Sequence, residues 1–254
     1  MKKEIDIVIL SYAKNYTLKN LTEQAISSLI ASEDSNFIEF NITVIESNMA
    51  LKPFQYIGTS TIYPKTKFGY NRYLNIGIKN GKAANICLCN NDLIFHKRWA
   101  SEILTAFNDD SELVSASPIC SILSDEDYYK INSGNYYGYS TRREVSGWCI
   151  FLKREIIPKI GKFDEKIKFW FSDTDYVRLL ELHNLKHALI TSSIVDHLES
   201  KTLSSSSQEK ISKLTNDEFL YYDYKWNHKS LLIYYFRLGK RILKRAFLGT
   251  NHGQ

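Results

Sequence analysis

Three times before residue 100, an apolar run rich in β-branched residues stops abruptly in polar side chains. Ile5 to Leu10 (IDIVIL) ends at Ser11 and Tyr12, Phe40 to Asn48 (FNITVIESN) carries Glu46 at its tip, and the strand at Ala84 to Leu88 delivers Asn90, Asn91 and Asp92 within CLCNNDLIF. Burying such groups unpaired costs about 2 kcal/mol or more each, so the polar tips belong at strand ends. Between the runs the apolar period changes to that of a helix. Leu18, Leu21, Ala25, Ile26, Leu29 and Ile30 share one face, and Asn71 to Lys79 (NRYLNIGIK) reads the same way. Strand, helix and strand with short polar crossovers predict a parallel sheet whose carboxyl edge gathers the three polar tips, which is where open α/β sheets bind ligands.

Further along, the pattern predicts a helix from about His96 to Phe107, a strand near Leu113 to Ala116, and a long polar loop from Ser121 to Arg143 that is either a functional lid or poorly ordered. A strand, a short helix and a turn follow in VSGWCIFLKREIIPKIGKFDEKI, then a helix opened by FSDTDYVRLL, and a last strand ending at His197. The 254 residues suffice for one sizeable core, expected over 1–202, with a helical extension over 203–254. The serine run Ser204 to Ser207 is the expected boundary marker.

A net charge of +5, much of its excess near the C-terminus, is too diffuse for a nucleic-acid-binding face. Cys87, Cys89, Cys120 and Cys149 lack the CxxC spacing of a metal or redox motif, and three lie in apolar runs, which predicts reduced core thiols. The start MKKEIDIVIL has acids inside its apolar stretch, unlike a signal peptide, and no run approaches the roughly 18 apolar residues of a membrane span. The expectation is a cytoplasmic protein. In SLLIYYFRLGKRILKRAFLG, Arg237, Lys240, Arg241 and Lys244 fall on one helical face and Tyr235, Leu238, Ile242 and Ala246 on another, a pattern that fits a helix lying on an anionic membrane surface. The expected location is therefore peripheral, on the inner face of the cytoplasmic membrane. A helix packed on the domain with a solvated basic face is the alternative.

From about Asp6 to Thr202 the order of pieces resembles the family 2 glycosyltransferases of the GT-A fold: VILSY, FGYNRYLNIGI, CNNDLIF in the slot of an Asp-x-Asp motif, SGWCIFLKREIIPKIGKFDEKI, FSDTDYVRLL and VDHLES. The resemblance implies a Rossmann-like mixed sheet flanked by helices and an inverting transfer of a sugar from a nucleoside-diphosphate donor (UDP- or dTDP-sugar) to a glycan or lipid-linked glycan. It further implies a setting in surface-polysaccharide assembly and a divalent cation, Mn²⁺ or Mg²⁺. By the same resemblance Asp92 and His197 bind the metal, although Asn90 replaces the motif's first acid. Ser11, Tyr12, Glu46, Asn71, Arg72 and Asn91 contact the donor. Asp173 is the base that takes the acceptor proton, supported by Asp175 and Arg178, while Trp148, beside Gly147, and the pair Asp164 and Glu165 lie with Asp175 beside the acceptor.

Simpler readings stand beside these. Asp92 serves equally as a turn acid, and Ser172 with Asp175 fits a helix capping box. Trp148 fits a core position as well as a sugar-stacking one. Two other functions stay open, a non-catalytic nucleotide- or glycan-binding module and a sugar nucleotidylyltransferase. The latter needs a Gly-rich loop after the first strand, and SYAKNYTLKN has no glycine.

Overall fold

The computed structural model describes residues 2–122, 129–198, 218–228 and 230–249. The serine run, the expected boundary at 202/203 and residues 123–128 of the long loop lie outside that set.

Strands β1 (Lys3–Ser11), β2 (Ile38–Glu46), β3 (Ser60–Ile62) and β4 (Asn85–Asn90) pair in parallel in the order β3-β2-β1-β4. Beyond β4 the sheet continues through β8 (Cys149–Lys153), antiparallel to its neighbours, and then β6 (Leu113–Ile119) and β9 (Lys186–His197), which run parallel to each other. Two short strands, β5 (Leu93–Phe95) and β7 (Asn135–Tyr137), pair antiparallel with β9. Because β8 reverses direction once, β9 points the same way as β4. Their carboxyl ends, with those of β1 and β2, therefore form one edge.

Helices cover both faces, which is why the strands read as continuous apolar runs. On one face Ile5, Ile7, Ile9, Cys87, Cys89 and Phe151 pack with α1 (Tyr16–Ser32) and α3 (Trp99–Asp109) through Ile26, Leu29, Trp99 and Ile103. On the other, Val8, Leu10, Leu88, Ile150 and Leu152 meet α2 (Tyr70–Asn80) and α5 (Ser172–Leu182) through Leu74, Ile78, Tyr176 and Leu180. Gly77 lets α2 lie hard against β1, for a Cβ there would fall 2.2 Å from the Val8 side chain. That close approach carries the start of α2 over the carboxyl edge. A single helical turn, α4 (Ile157–Ile160), follows β8, and the cysteines are free and buried as expected.

The structure departs from the sequence reading at the shortest elements. CLCNNDLIF is not one strand with a polar tip but two strands joined by a bend at Asn91 and Asp92, with LIF turning back to pair with β9. The following helix accordingly begins at Trp99 rather than His96. β3 and β7 have three residues each and carry no periodic signal.

Candidate active site

The bend after β4 places Asp92 opposite the end of β9, where Leu93 pairs with His197 and the Leu198 N–H donates to the Asp92 carbonyl at 2.9 Å. Asp92 Oδ1 and His197 Nε2 stand 3.2 Å apart, yet both are buried atoms that complete no hydrogen bond among the described residues. Buried polar atoms are normally satisfied, so a carboxylate oxygen and an imidazole nitrogen left facing each other have the chemistry of a cation site. Among the described residues no cage of three or more His, Cys, Asp or Glu forms. A cation held here would fill its remaining positions with ligand oxygens and water, as Mg²⁺-type sites do.

Trp148 lies parallel to the His197 ring, with centroids 5.5 Å apart, and its carbonyl accepts from the Asn90 N–H. It packs partly against the core and stacks on the imidazole. Tyr70, the first residue of α2, donates to Asn90 Oδ1 at 3.1 Å and approaches the Gly147 carbonyl at 3.5 Å. Burial pushes its hydroxyl pKa up, and the charges of Asp173 and Asp92 push it further. Tyr70 thus joins the start of α2 to Asn90 and Gly147.

Asp173 occupies the first turn of α5, where its Oδ1 accepts from the Thr174 N–H at 2.8 Å. Its side chain packs on Gly147, where a Cβ would come within 2.7 Å of the Asp173 Cβ. Its Oδ2 has no hydrogen-bond partner among the described residues.

Several residues assigned to donor contact face inward instead. Glu46 is buried, with Oε1 accepting from the Ala13 and Asn48 N–H groups at 3.0 and 2.8 Å and Oε2 from the Tyr56 hydroxyl at 3.2 Å. Ser11 bonds Thr22 and Tyr56 at 3.0 Å each, and Asn91 donates to Thr22 Oγ1 at 2.9 Å. This buried network fixes the loop after β1 and the bend that carries Asp92, and it leaves the half-buried Tyr12 as the side chain of that group at the rim. The side chains of Ser11 and Glu46 share the Tyr56 hydroxyl as a partner. Asn71 likewise is buried, donating to the Asp164 carbonyl at 3.0 Å and accepting from the Ser172 hydroxyl, so its amide ties α2 to α5. Arg72 pairs with Glu165 at 2.9 Å and donates to the Lys67 carbonyl.

The acceptor-side assignments fare similarly. Asp175 is buried against Lys225 Nζ at 2.7 Å and Trp226 Nε1 at 2.7 Å. Burial raises its pKa, and these two partners partly offset the shift. Asp164 accepts from the Tyr221 hydroxyl at 2.8 Å and meets Lys225 at 3.1 Å. Burial opposes its ionisation, but the Lys166 N–H, Tyr221 and Lys225 outweigh it and hold its carboxyl below the usual range. Arg178 pairs with Glu181 and lies over the Trp226 ring.

No protein-family model matches the sequence, and no curated protein matches it. Among solved structures, the backbone is similar to S. aureus TarS 1–349 at a TM-score of 0.58 and 10% identity, covering 91% of this chain and 74% of that one. It is also similar to GalNAc-T7 crystallised with UDP, GalNAc and Mn²⁺, at a TM-score of 0.58 and 12% identity, covering 77% of this chain and 44% of that one, so the chain spans less than half of GalNAc-T7. The architecture is the GT-A arrangement of a central, mostly parallel sheet flanked by helices.

Proposed function

We propose that the chain is a metal-dependent glycosyltransferase of the family 2 type that transfers a hexosyl group, with inversion, from a nucleoside-diphosphate sugar to a glycan hydroxyl. The observation that carries this reading is the unsatisfied pair Asp92 Oδ1 and His197 Nε2 on the carboxyl edge of a GT-A sheet. A UDP- or dTDP-sugar suits that edge, and when bound, Mn²⁺ or Mg²⁺ supplies charge neutralisation for the departing diphosphate. Trp148 holds the His197 ring in plane, and Asn91 holds the bend that aims Asp92. Tyr12 and the loop tied down by Glu46 form the nucleoside side.

Asp173 then acts as base. As the acceptor oxygen bonds to the anomeric carbon and the bond to the diphosphate breaks on the opposite side, the hydroxyl proton passes to Asp173 Oδ2. Gly147 gives the carboxylate its room.

The acceptor is a lipid-linked glycan of a surface polysaccharide, O-antigen or capsule, reached at the inner face of the cytoplasmic membrane. Support comes from the last helix, α6 (Leu231–Gly249), which contains no acidic residue and leaves Leu232, Tyr235, Phe236, Ile242 and Leu243 exposed. No helix of the described residues is long and apolar enough to cross a membrane.

The test is a panel of UDP- and dTDP-sugars with Mn²⁺, read by thermal unfolding. A ligand at 100 times its Kd stabilises by about 2.7 kcal/mol, or roughly 5–10 °C at this size. One donor class should shift the wild type and leave Asp92→Ala unmoved. If no nucleotide shifts the wild type with any divalent cation, the reading fails.

A further inference from the structure

Residues 218–228 lie beyond the sheet in sequence, yet their side chains end on the segment that carries Asp173. Glu218 is buried beneath the turn before α5, where its Oε1 accepts from the Lys168 N–H at 3.2 Å and its Oε2 from those of Phe169 and Trp170 at 3.1 and 2.6 Å. Phe171, the next residue, takes a left-handed φ of 62°. A bulky residue adopts that conformation only where its surroundings impose it. Tyr222 stacks on its ring at 5.3 Å and Phe219 leans on it at 5.9 Å. On the far side of Asp173, Lys225 and Trp226 hold Asp175, while Tyr221 and Lys225 also hold Asp164. Three backbone donors, one strained residue and two carboxylates, all flanking Asp173, are thus fixed by a stretch of eleven residues from 218 to 228.

We infer that residues 218–228 form a positioning strap that sets the Asp173 carboxylate for proton abstraction without contributing to donor binding. The inference rests on Asp173 being the base. It also gives Asp164 and Asp175 a different task from the acceptor contact expected of them: they are the strap's attachment points. The metal pair Asp92 and His197 contacts none of the strap side chains, so the two halves of the site separate experimentally.

The test compares Glu218→Gln and Trp226→Phe with wild type and Asp173→Asn, using the UDP-sugar selected by the nucleotide panel and following UDP release. Glu218→Gln keeps the size of the side chain, and Trp226→Phe keeps an aromatic ring while removing the Nε1–H that donates to Asp175. The expected result is a kcat lowered about tenfold or more, with donor Kd and Mn²⁺ dependence within twofold of wild type, and a smaller loss in Glu218→Asp than in Glu218→Gln because the carboxylate is retained. Amide hydrogen exchange adds a readout that needs no turnover. Protection at 168–176 should fall in Glu218→Gln while β1 and β4 exchange as in wild type. Unchanged kcat and unchanged exchange overturn the strap, as does a loss of donor binding in step with a fall in Tm. If Asp173→Asn turns over at the wild-type rate, the base assignment falls and the strap inference with it. If Asp173→Asn is inactive while the strap variants match wild type, only the strap inference is overturned.

Discussion

Asp92 Oδ1 and His197 Nε2, both buried and unbonded at 3.2 Å, each carry a desolvation cost of about 1–3 kcal/mol in the ligand-free protein. Removing one of them therefore does little harm to the bare fold. Asp92→Asn should unfold in urea within about 1 kcal/mol of wild type while losing the Mn²⁺-dependent stabilisation by nucleotide. A loss of several kcal/mol without ligand would instead mark Asp92 as a structural turn acid. Gly147 makes the complementary case, since a Cβ there would meet the Asp173 side chain at 2.7 Å. Gly147→Ala is expected to cut kcat by about 100-fold, the scale of a misplacement of ~1 Å, with donor Kd unchanged; a fall in donor affinity alone would contradict it. The places of Asp92, Asp173 and His197 in the fold were legible because each ends an apolar run or opens a helix. Tyr70 was not, for one tyrosine among 17 at a helix start has no distinguishing pattern. Asn71, Glu46 and Asp175 were given to ligands because spacing tells which strand end or helix turn a residue occupies, not which neighbour it meets. Only the packed structure shows that their hydrogen bonds are already made.

The strands and helices were readable where they were long, as was the parallel direction of the first strands, but not the order of the sheet. β1, α1, β2, α2 and β4 follow from apolar period alone, within two or three residues. β8 could be read as a strand, but its reversal could not, since antiparallel pairing with β4 is decided by where Cys149 and Phe151 pack, not by their identity. The same limit hid β5, whose three residues look like a continuation of β4 until the bend at Asp92 is seen. The join of β6 to β9 has a titration consequence. His187 is buried between the Ser115 hydroxyl at 2.7 Å and the Glu144 carbonyl at 3.0 Å, and burial pushes its pKa from 6.5 down to about 4. The unfolded chain takes up the proton first as pH falls, so this stability is fully present above about pH 6.5 and drains away towards pH 4, by about 3 kcal/mol in all. Urea unfolding of wild type from pH 7.5 to 4.5 should follow that slope. In His187→Gln the portion due to this group should vanish, and an unchanged slope would place the acid sensitivity elsewhere.

At the scale of the whole molecule, the C-terminal stretch divides into two parts with different partners. Residues 218–228 are tied to the sheet domain, whereas α6 meets residues 218–228 through Arg237 on Asp223 and Tyr234 against Tyr221 and Tyr224. The sequence showed the amphipathic pattern but not which side is covered. The contacts run through Arg237 and Tyr234, while Leu232 at 84% exposure, with Phe236 and Leu243 near 60%, faces outward. Arg237, Lys240 and Lys244 are exposed beside these apolar side chains, and Leu238 is half-buried. In the proposed membrane role, the exposed apolar side chains would insert into an anionic bilayer while Lys240 and Lys244 meet head groups. Vesicle sedimentation checks this. The protein should bind vesicles containing 30% phosphatidylglycerol, bind pure phosphatidylcholine far less, and release from the former as salt rises, because surface charge is screened within about 8 Å at physiological ionic strength. Leu232→Glu with Phe236→Glu should abolish binding while Tm stays within about 2 °C, since neither side chain is buried in the fold. Equal binding to neutral vesicles would remove the electrostatic part of the argument. Wild-type binding by the double variant would remove the helix from it altogether.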